Sequence, residues 1–201
     1  MLGKLNPAQV LVVGFSVIII IGSVLLSLPI AVENGQINFL TSFFTATSAL
    51  CVTGLVLVDT GTYWTPFGQV IIMLLFQVGG LGIMSFAAFL AFILGRRINL
   101  KERLTMQYSL NKSSLGGIVN VFKYLLIFSF IIELAGAIAL FIYWYPSMGA
   151  GKALWYGVFH SISAFNNAGF DLFGNFASLT GFTGDAMLAI TISALLLIGG
   201  L

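Results

Sequence analysis

Two five-residue stretches could do chemistry in this chain, and neither carries an ordinary catalytic group. Cys51-Val52-Thr53-Gly54-Leu55 follows Ser48-Ala49, and Asn166-Asn167-Ala168-Gly169-Phe170 follows Ser163-Ala164, at a constant offset of 115 residues. Their side chains are apolar or neutral, so what they can offer is backbone. Carbonyl oxygens select a permeating cation by replacing its hydration water, and the side chains need only hold the backbone and pack behind it. Gly54 and Gly169 then stand where a side chain would obstruct coordination. A glycine also commonly ends a short helix. One loop would leave the two readings even, and the matched pair favours the filter.

The elements that must position these loops are apolar throughout. Of 201 residues 59% are hydrophobic and 7% charged, against about 25% charged in a soluble domain; the mean hydropathy is +1.09. The chain reads as an integral membrane protein. Ala8–Ala31 is 24 residues without a charge, ends at Leu28-Pro29, and is long enough to span. Phe39–Leu50 lacks Pro and Gly and makes three turns of helix, too short to cross. With Cys51–Leu55 behind it, it has the form of a re-entrant pore loop. Non-helical backbone survives at membrane depth only when buried in protein or lining a watery cavity.

Pro66–Gly95 is a charge-free run of 30 residues, roughly 45 Å as helix in a hydrocarbon layer about 30 Å thick. It must tilt, kink or protrude. Gln77-Val78-Gly79-Gly80-Leu81-Gly82 sits at its centre, where glycines bend a helix or admit a close neighbour; packing is the favoured reading. Tyr124–Tyr145 is a third spanning run, closed by Tyr143, Trp144 and Tyr145 as interfacial aromatics. A second short segment, Lys152–Phe170, and an apolar run from Ala186 follow.

The pattern repeats. Phe44 stands opposite Phe159 at the offset of 115, and Gly79-Gly80-Leu81 matches Gly199-Gly200-Leu201 at an offset of 120. The fold class is therefore all-α, built from helix–pore loop–helix units: residues 1–95 form the first, 96–123 a basic loop and the start of the next helix, and 124–201 a second unit truncated within its last helix. A unit ending at mid-membrane marks the chain as an N-terminal fragment of a longer one.

Six of the eight cations lie in Arg96–Lys123. The excess of Lys and Arg there puts that loop and the N-terminus in the cytoplasm and both short segments outside. It also accounts for the pI near 8.8 without a nucleic-acid partner. Arg96, Arg97, Lys101 and Arg103 are a candidate docking surface for a cytoplasmic subunit, though a basic loop also simply fixes topology. Asp171, two residues past Gly169, is a candidate outer-mouth acid or a loop cap, and Asp59 reads as a loop residue. Glu133 is an acid inside a spanning helix, a functional hypothesis by default, with a protonated or paired structural role as the favoured rival. His160 reads as a packed, hydrogen-bonded side chain, and Cys51 as a small buried residue. The single cysteine excludes an intrachain disulfide. No Ser/His/Asp set, phosphate loop or metal-ligand spacing points to an enzyme.

Ser48-Ala49-Leu50-Cys51-Val52-Thr53-Gly54-Leu55 resembles the first filter of the Trk/Ktr/HKT potassium transporters, and Ser163-Ala164-Phe165-Asn166-Asn167-Ala168-Gly169-Phe170-Asp171 resembles their second. Gln77–Gly82, Arg96-Arg97 and Leu104-Thr105-Met106-Gln107 are similar to the KtrB branch in particular. The resemblance implies a potassium-channel-like pore of four such repeats in a bacterial plasma membrane, multi-pass, with the N-terminus cytoplasmic. It implies K⁺ as the transported ion, with sodium dependence in some members, and no organic cofactor or other metal. Its implied partners are membrane lipid, a second copy of the subunit and a cytoplasmic nucleotide-binding ring. Two rival readings are a truncated, non-conducting assembly subunit and a secondary transporter whose broken helices bind another small ion.

Overall fold

A computed structural model of the chain describes residues 7–35, 37–82, 104, 118–182 and 184–200. The described residues form an all-α fold with no named strand, and their one isolated β-bridge joins Val32 to Trp64.

Helix α1 is Pro7–Leu26 and ends before Leu28-Pro29, where a 3-10 turn, Pro29–Ala31, takes over. Helix α2 is Phe39–Leu50. It starts there because Asn38 Oδ1 accepts the amides of Leu40 and Thr41 at 3.0 and 3.4 Å, two of the donors a helix start leaves open. A single turn, α3 (Thr60–Tyr63), is capped by Asp59. Helix α4 is Pro66–Leu81, with Thr65 as its cap and Pro at the first position, where the missing N–H costs nothing. The expected run to Gly95 is not one helix: α4 stops at Gly82, which takes φ 79° and donates its N–H to Gly79. Residues 83–95 lie outside the described set.

Helix α5 spans Ile118–Phe165 and folds back on itself at Gly149, where φ 74° and ψ 168° suit only glycine. Contacts across the bend are antiparallel. Trp144 meets Tyr156 edge-on at 6.2 Å, and the Ser161 hydroxyl donates to the Glu133 carbonyl at 2.6 Å. Gly157 leaves room for Ala137, whose oxygen would stand 2.8 Å from an added Cβ. Residues 118–148 are thus an outer helix, and 150–165 a short helix returning beside it. Helix α6, Ala186–Gly200, closes the described chain.

Residues 9–26 and 123–165 are long and apolar enough to cross a membrane, while α2, α4 and α6 are shorter apolar helices. Exposed Val17, Ile20, Ile21, Val24, Phe128, Ile131, Leu134 and Ile138 give α1 and α5 outer faces that lipid solvates. Two packed clusters lie inside. Phe76 of α4 reaches Phe159 and Phe170 with ring centroids 5.5 and 6.0 Å apart, joining the two halves of the chain. Trp144 centres the other cluster with Leu140, Phe165 and Leu188; expected at the interface, it is only 1% exposed because the returning helix covers it. Tyr143 and Tyr145 fit the interface better: Tyr145 is exposed, and Tyr143 donates to Asp185 at 2.6 Å.

Candidate functional site

The loops after α2 and after α5 have one backbone design. Cys51 N–H donates to Thr47 at 2.9 Å, and Asn166 N–H to Ile162 at 3.0 Å. Val52 and Asn167 donate to Ala49 and Ala164 at 3.2 and 3.0 Å, and Thr53 and Ala168 to Ser48 and Ser163 at 3.0 and 2.8 Å. The Ser48 hydroxyl then donates to the Leu55 carbonyl at 2.7 Å, and the Ser163 hydroxyl to that of Phe170 at 2.7 Å. Each serine thereby holds both sides of its loop to the end of its helix.

Handedness alternates along both loops. Val52 and Asn167 each have φ 56°, Gly54 and Gly169 have φ 70° and 73°, and the residues between them are not left-handed. Asn tolerates this region, whereas a β-branched Val there is an outlier. Such strain persists only where the surroundings over-determine it, and it concentrates at working sites. The two loops also meet. A Cβ on Gly54 would stand 2.9 Å from the Ala168 carbonyl oxygen and 3.3 Å from Gly169 Cα.

Helix α4 presses on both loops. A Cβ on Gly79 would collide with the Leu50 carbonyl, and one on Gly80 with the side chain of Asn166. Gly199 of α6 stands likewise against the Phe165 carbonyl. These glycines serve close packing, as their spacing suggests, while Gly82 ends the helix.

Behind the second loop lies a buried polar cluster. Gln77 Nε2 donates to Glu133 Oε1 and Oε2 at 2.8 and 3.0 Å. Asn166 Nδ2 donates to Gln77 Oε1 at 2.8 Å, to Ile162 O at 2.9 Å and to Glu133 Oε1 at 3.2 Å. Glu133 is 4% exposed. It is therefore a paired acid, with partners in both halves of the chain. Gln77 carries no titratable signal; an amide in the middle of an apolar run was the clue to it.

The remaining residues singled out from the sequence fall as follows. Cys51 is exposed, not buried: its backbone closes α2 and its side chain is left outside the core. His160 Nε2 accepts the Leu172 amide at 3.2 Å, so Nδ1 carries the proton and donates to Tyr156 O at 2.7 Å. Phe173 N–H donates to Asp171 at 3.0 Å. Burial raises the Asp171 carboxyl above the ordinary range against that hydrogen bond, and nearby Asp59 raises it further. Asp59 does more than fill a loop. It caps α3 and also accepts the Phe176 amide at 2.7 Å, tying the segment after the first loop to the segment after the second. Arg96, Arg97, Lys101 and Arg103 lie outside the described residues.

A paired helix-and-loop design inside a lipid-facing helical shell defines a membrane protein, and comparison places it among transporters. The chain matches the family TrkH, cation transport protein, over residues 6–201, and it belongs to that family, a transport and not a catalytic one. It is KtrB/KtrD-like within it. It is 46% identical over 198 residues to the Ktr system potassium uptake protein B of Bacillus subtilis (strain 168), covering 98% of this chain and 44% of that one. Identity is 37% over 199 residues to the potassium/sodium uptake protein NtpJ of Enterococcus hirae, with coverages of 98% and 44%. The Ktr system potassium uptake protein D of Bacillus subtilis (strain 168) is 39% identical over 175 residues, with coverages of 85% and 38%. The chain thus spans less than half the length of these relatives.

Proposed function

We propose that this chain contributes two filter loops to a potassium-conducting pore in a bacterial plasma membrane. Cys51–Leu55 and Asn166–Phe170 form the filter backbone whose carbonyl oxygens replace water around K⁺, with those of Leu55 and Phe170 tied to Ser48 and Ser163. The observation that carries this reading is the shared backbone: left-handed residues at the same two positions of each loop, with Gly54 and Gly169 face to face. The short helices α2 and 150–165 end at the loops, and their C-terminal dipoles, about half a charge each, favour a cation there. Asp171 adds negative charge at the outer mouth.

The rest of the assignment follows from charge and family. The basic segment 96–123 and the N-terminus face the cytoplasm, where Arg96, Arg97, Lys101 and Arg103 offer a docking surface to a nucleotide-binding ring. The complete subunit brings four such loops around one pore and pairs with a second copy, and sodium acts as co-ion or competitor. The test is rubidium uptake at low potassium in cells without their own uptake systems, with the protein expressed from its complete reading frame. Wild type restores uptake, and Gly54→Asp abolishes it at unchanged membrane abundance. Uptake that tolerates the Asp refutes the assignment.

A further inference from the structure

We infer that Glu133 is a positioning residue for the second loop, setting how well that loop discriminates between alkali cations. This rests on the filter reading above and extends it to an acid that touches no ion.

The inference starts from an asymmetry. The two loops share their backbone hydrogen bonds but differ in their side-chain tethers. In the first loop the hydroxyls of Ser48 and Thr53 lie 2.9 Å apart, so the tether is local. The matching position in the second loop is Ala168, which has no hydroxyl. The second loop is held instead at Asn166, whose counterpart, Cys51, is exposed and forms no such cluster. Asn166 precedes Asn167, the left-handed residue of that loop. Its Nδ2 has three acceptors, on α4, on the outer helix and on its own helix. Its Oδ1 is buried without a partner against Gly80. The side chain therefore cannot turn without losing a bond or striking α4.

Glu133 closes this cluster. Its carboxyl accepts from both Gln77 and Asn166, and its own carbonyl accepts from Ser161 of the returning helix. An acid kept in an apolar helix at 4% exposure carries a desolvation cost that an apolar residue would not. What it provides here is a fixed distance between α4, which touches both loops, and the foot of the second loop. Removing the carboxyl would leave Asn166 with two of its three acceptors and no link to the outer helix, loosening Asn167 while the first loop and its Ser48–Thr53 pair stay in place. Selectivity then rests on one well-held loop and one loose one.

The experiment measures rubidium and sodium uptake by the protein from its complete reading frame, each normalised to membrane abundance. Glu133→Gln keeps the size and loses the double acceptor. It is expected to lower the rubidium-over-sodium preference by about tenfold, the factor carried by one lost buried hydrogen bond, with a raised KM for rubidium. Tyr143→Phe, which removes a tie to Asp185 at the other end of the same helix, is expected to lower abundance at most and leave the preference alone. If Glu133→Gln does not accumulate, Gln77→Asn shortens the same link and is read in its place. An unchanged preference in whichever variant accumulates overturns the inference, and so does an equal loss in Tyr143→Phe. The Gly54→Asp test is separate: if that variant conducts, the filter reading falls, whereas an indifferent Glu133 with a sensitive Gly54 removes only the positioning role.

Discussion

Gly54→Ala isolates what the meeting of the two loops demands. The residue has φ +70°, and its new methyl would stand 2.9 Å from the Ala168 oxygen and 3.3 Å from Gly169 Cα, both backbone atoms. The left-handed conformation costs an alanine about 1–2 kcal/mol. Forcing the methyl between two backbones adds about 1–3 kcal/mol of overpacking. The total, about 2–5 kcal/mol, acts on the geometry of the loop pair. Gly35→Ala is the control, since Gly35 has φ +62° and nothing within 4 Å of the added carbon. It meets the backbone cost alone, far from either loop. Gly169→Ala falls between them, with φ +73° and a single contact at 3.3 Å. The assay is rubidium uptake at matched membrane abundance, together with the thermal midpoint of the purified protein. Gly35→Ala should lose a few degrees of stability at most and keep its uptake; Gly169→Ala should lose some; Gly54→Ala should lose uptake by about tenfold or more. Equal uptake losses in all three, or wild-type uptake in Gly54→Ala, would refute the reasoning, because backbone strain would then be the whole effect.

Three further outcomes are expected. Gly79→Ala and Gly199→Ala place a methyl against the Leu50 and Phe165 carbonyls and should each destabilise by about 1–3 kcal/mol. Gly151→Ala, in a helix with open space around it, should stabilise by about 0.5–1 kcal/mol; thermal melts in detergent check all three. The third concerns Asp171, whose carboxyl is raised by burial. A raised acid takes up its proton while external pH is still above the ordinary Asp range, so negative charge at the outer mouth is lost early as pH falls. Rubidium KM should rise over that interval, and Asp171→Asn, which can still accept the Phe173 amide, should show a high KM with no such pH dependence.

Much of this was readable because it is local. Asn38 before Phe39 and Thr65-Pro66 mark helix starts by hydrogen-bond bookkeeping confined to three or four residues. The loops could be matched because Ser48 and Gly54 recur as Ser163 and Gly169, and the structure gives those residues the same bonds. What escaped is long-range or inverted by the solvent. Gln77, Glu133 and Asn166 are 33 to 89 residues apart in sequence, and nothing in their spacing announces a cluster. Trp144 was misplaced because an aromatic at the end of an apolar run reads as interfacial, whereas here a helix returns over it. Cys51 was misplaced for the opposite reason: in lipid, apolar residues lie outside as freely as inside, so apolar character does not predict burial.

The strained residues show why α4 matters to both loops. Val52 and Asn167, both left-handed, each cost about 1–3 kcal/mol unless held. Val52 packs against the cluster that α4 helps to form, with its Cγ2 beside Gly79. Asn167 is held from α4 through Asn166, which bonds to Gln77 and rests on Gly80. Asn167 also donates weakly to the Leu196 carbonyl of α6 at 3.3 Å. One stretch of helix, Gln77 to Gly80, thus supports the high-energy residue of each loop, and a shift of that stretch cannot move one loop without the other. The outer helix reaches the second loop through Glu133. Substitutions that displace the α4 backbone, as at Gly79, should therefore alter conduction as a whole, whereas those confined to the Gln77–Glu133–Asn166 bonds should alter the balance between cations.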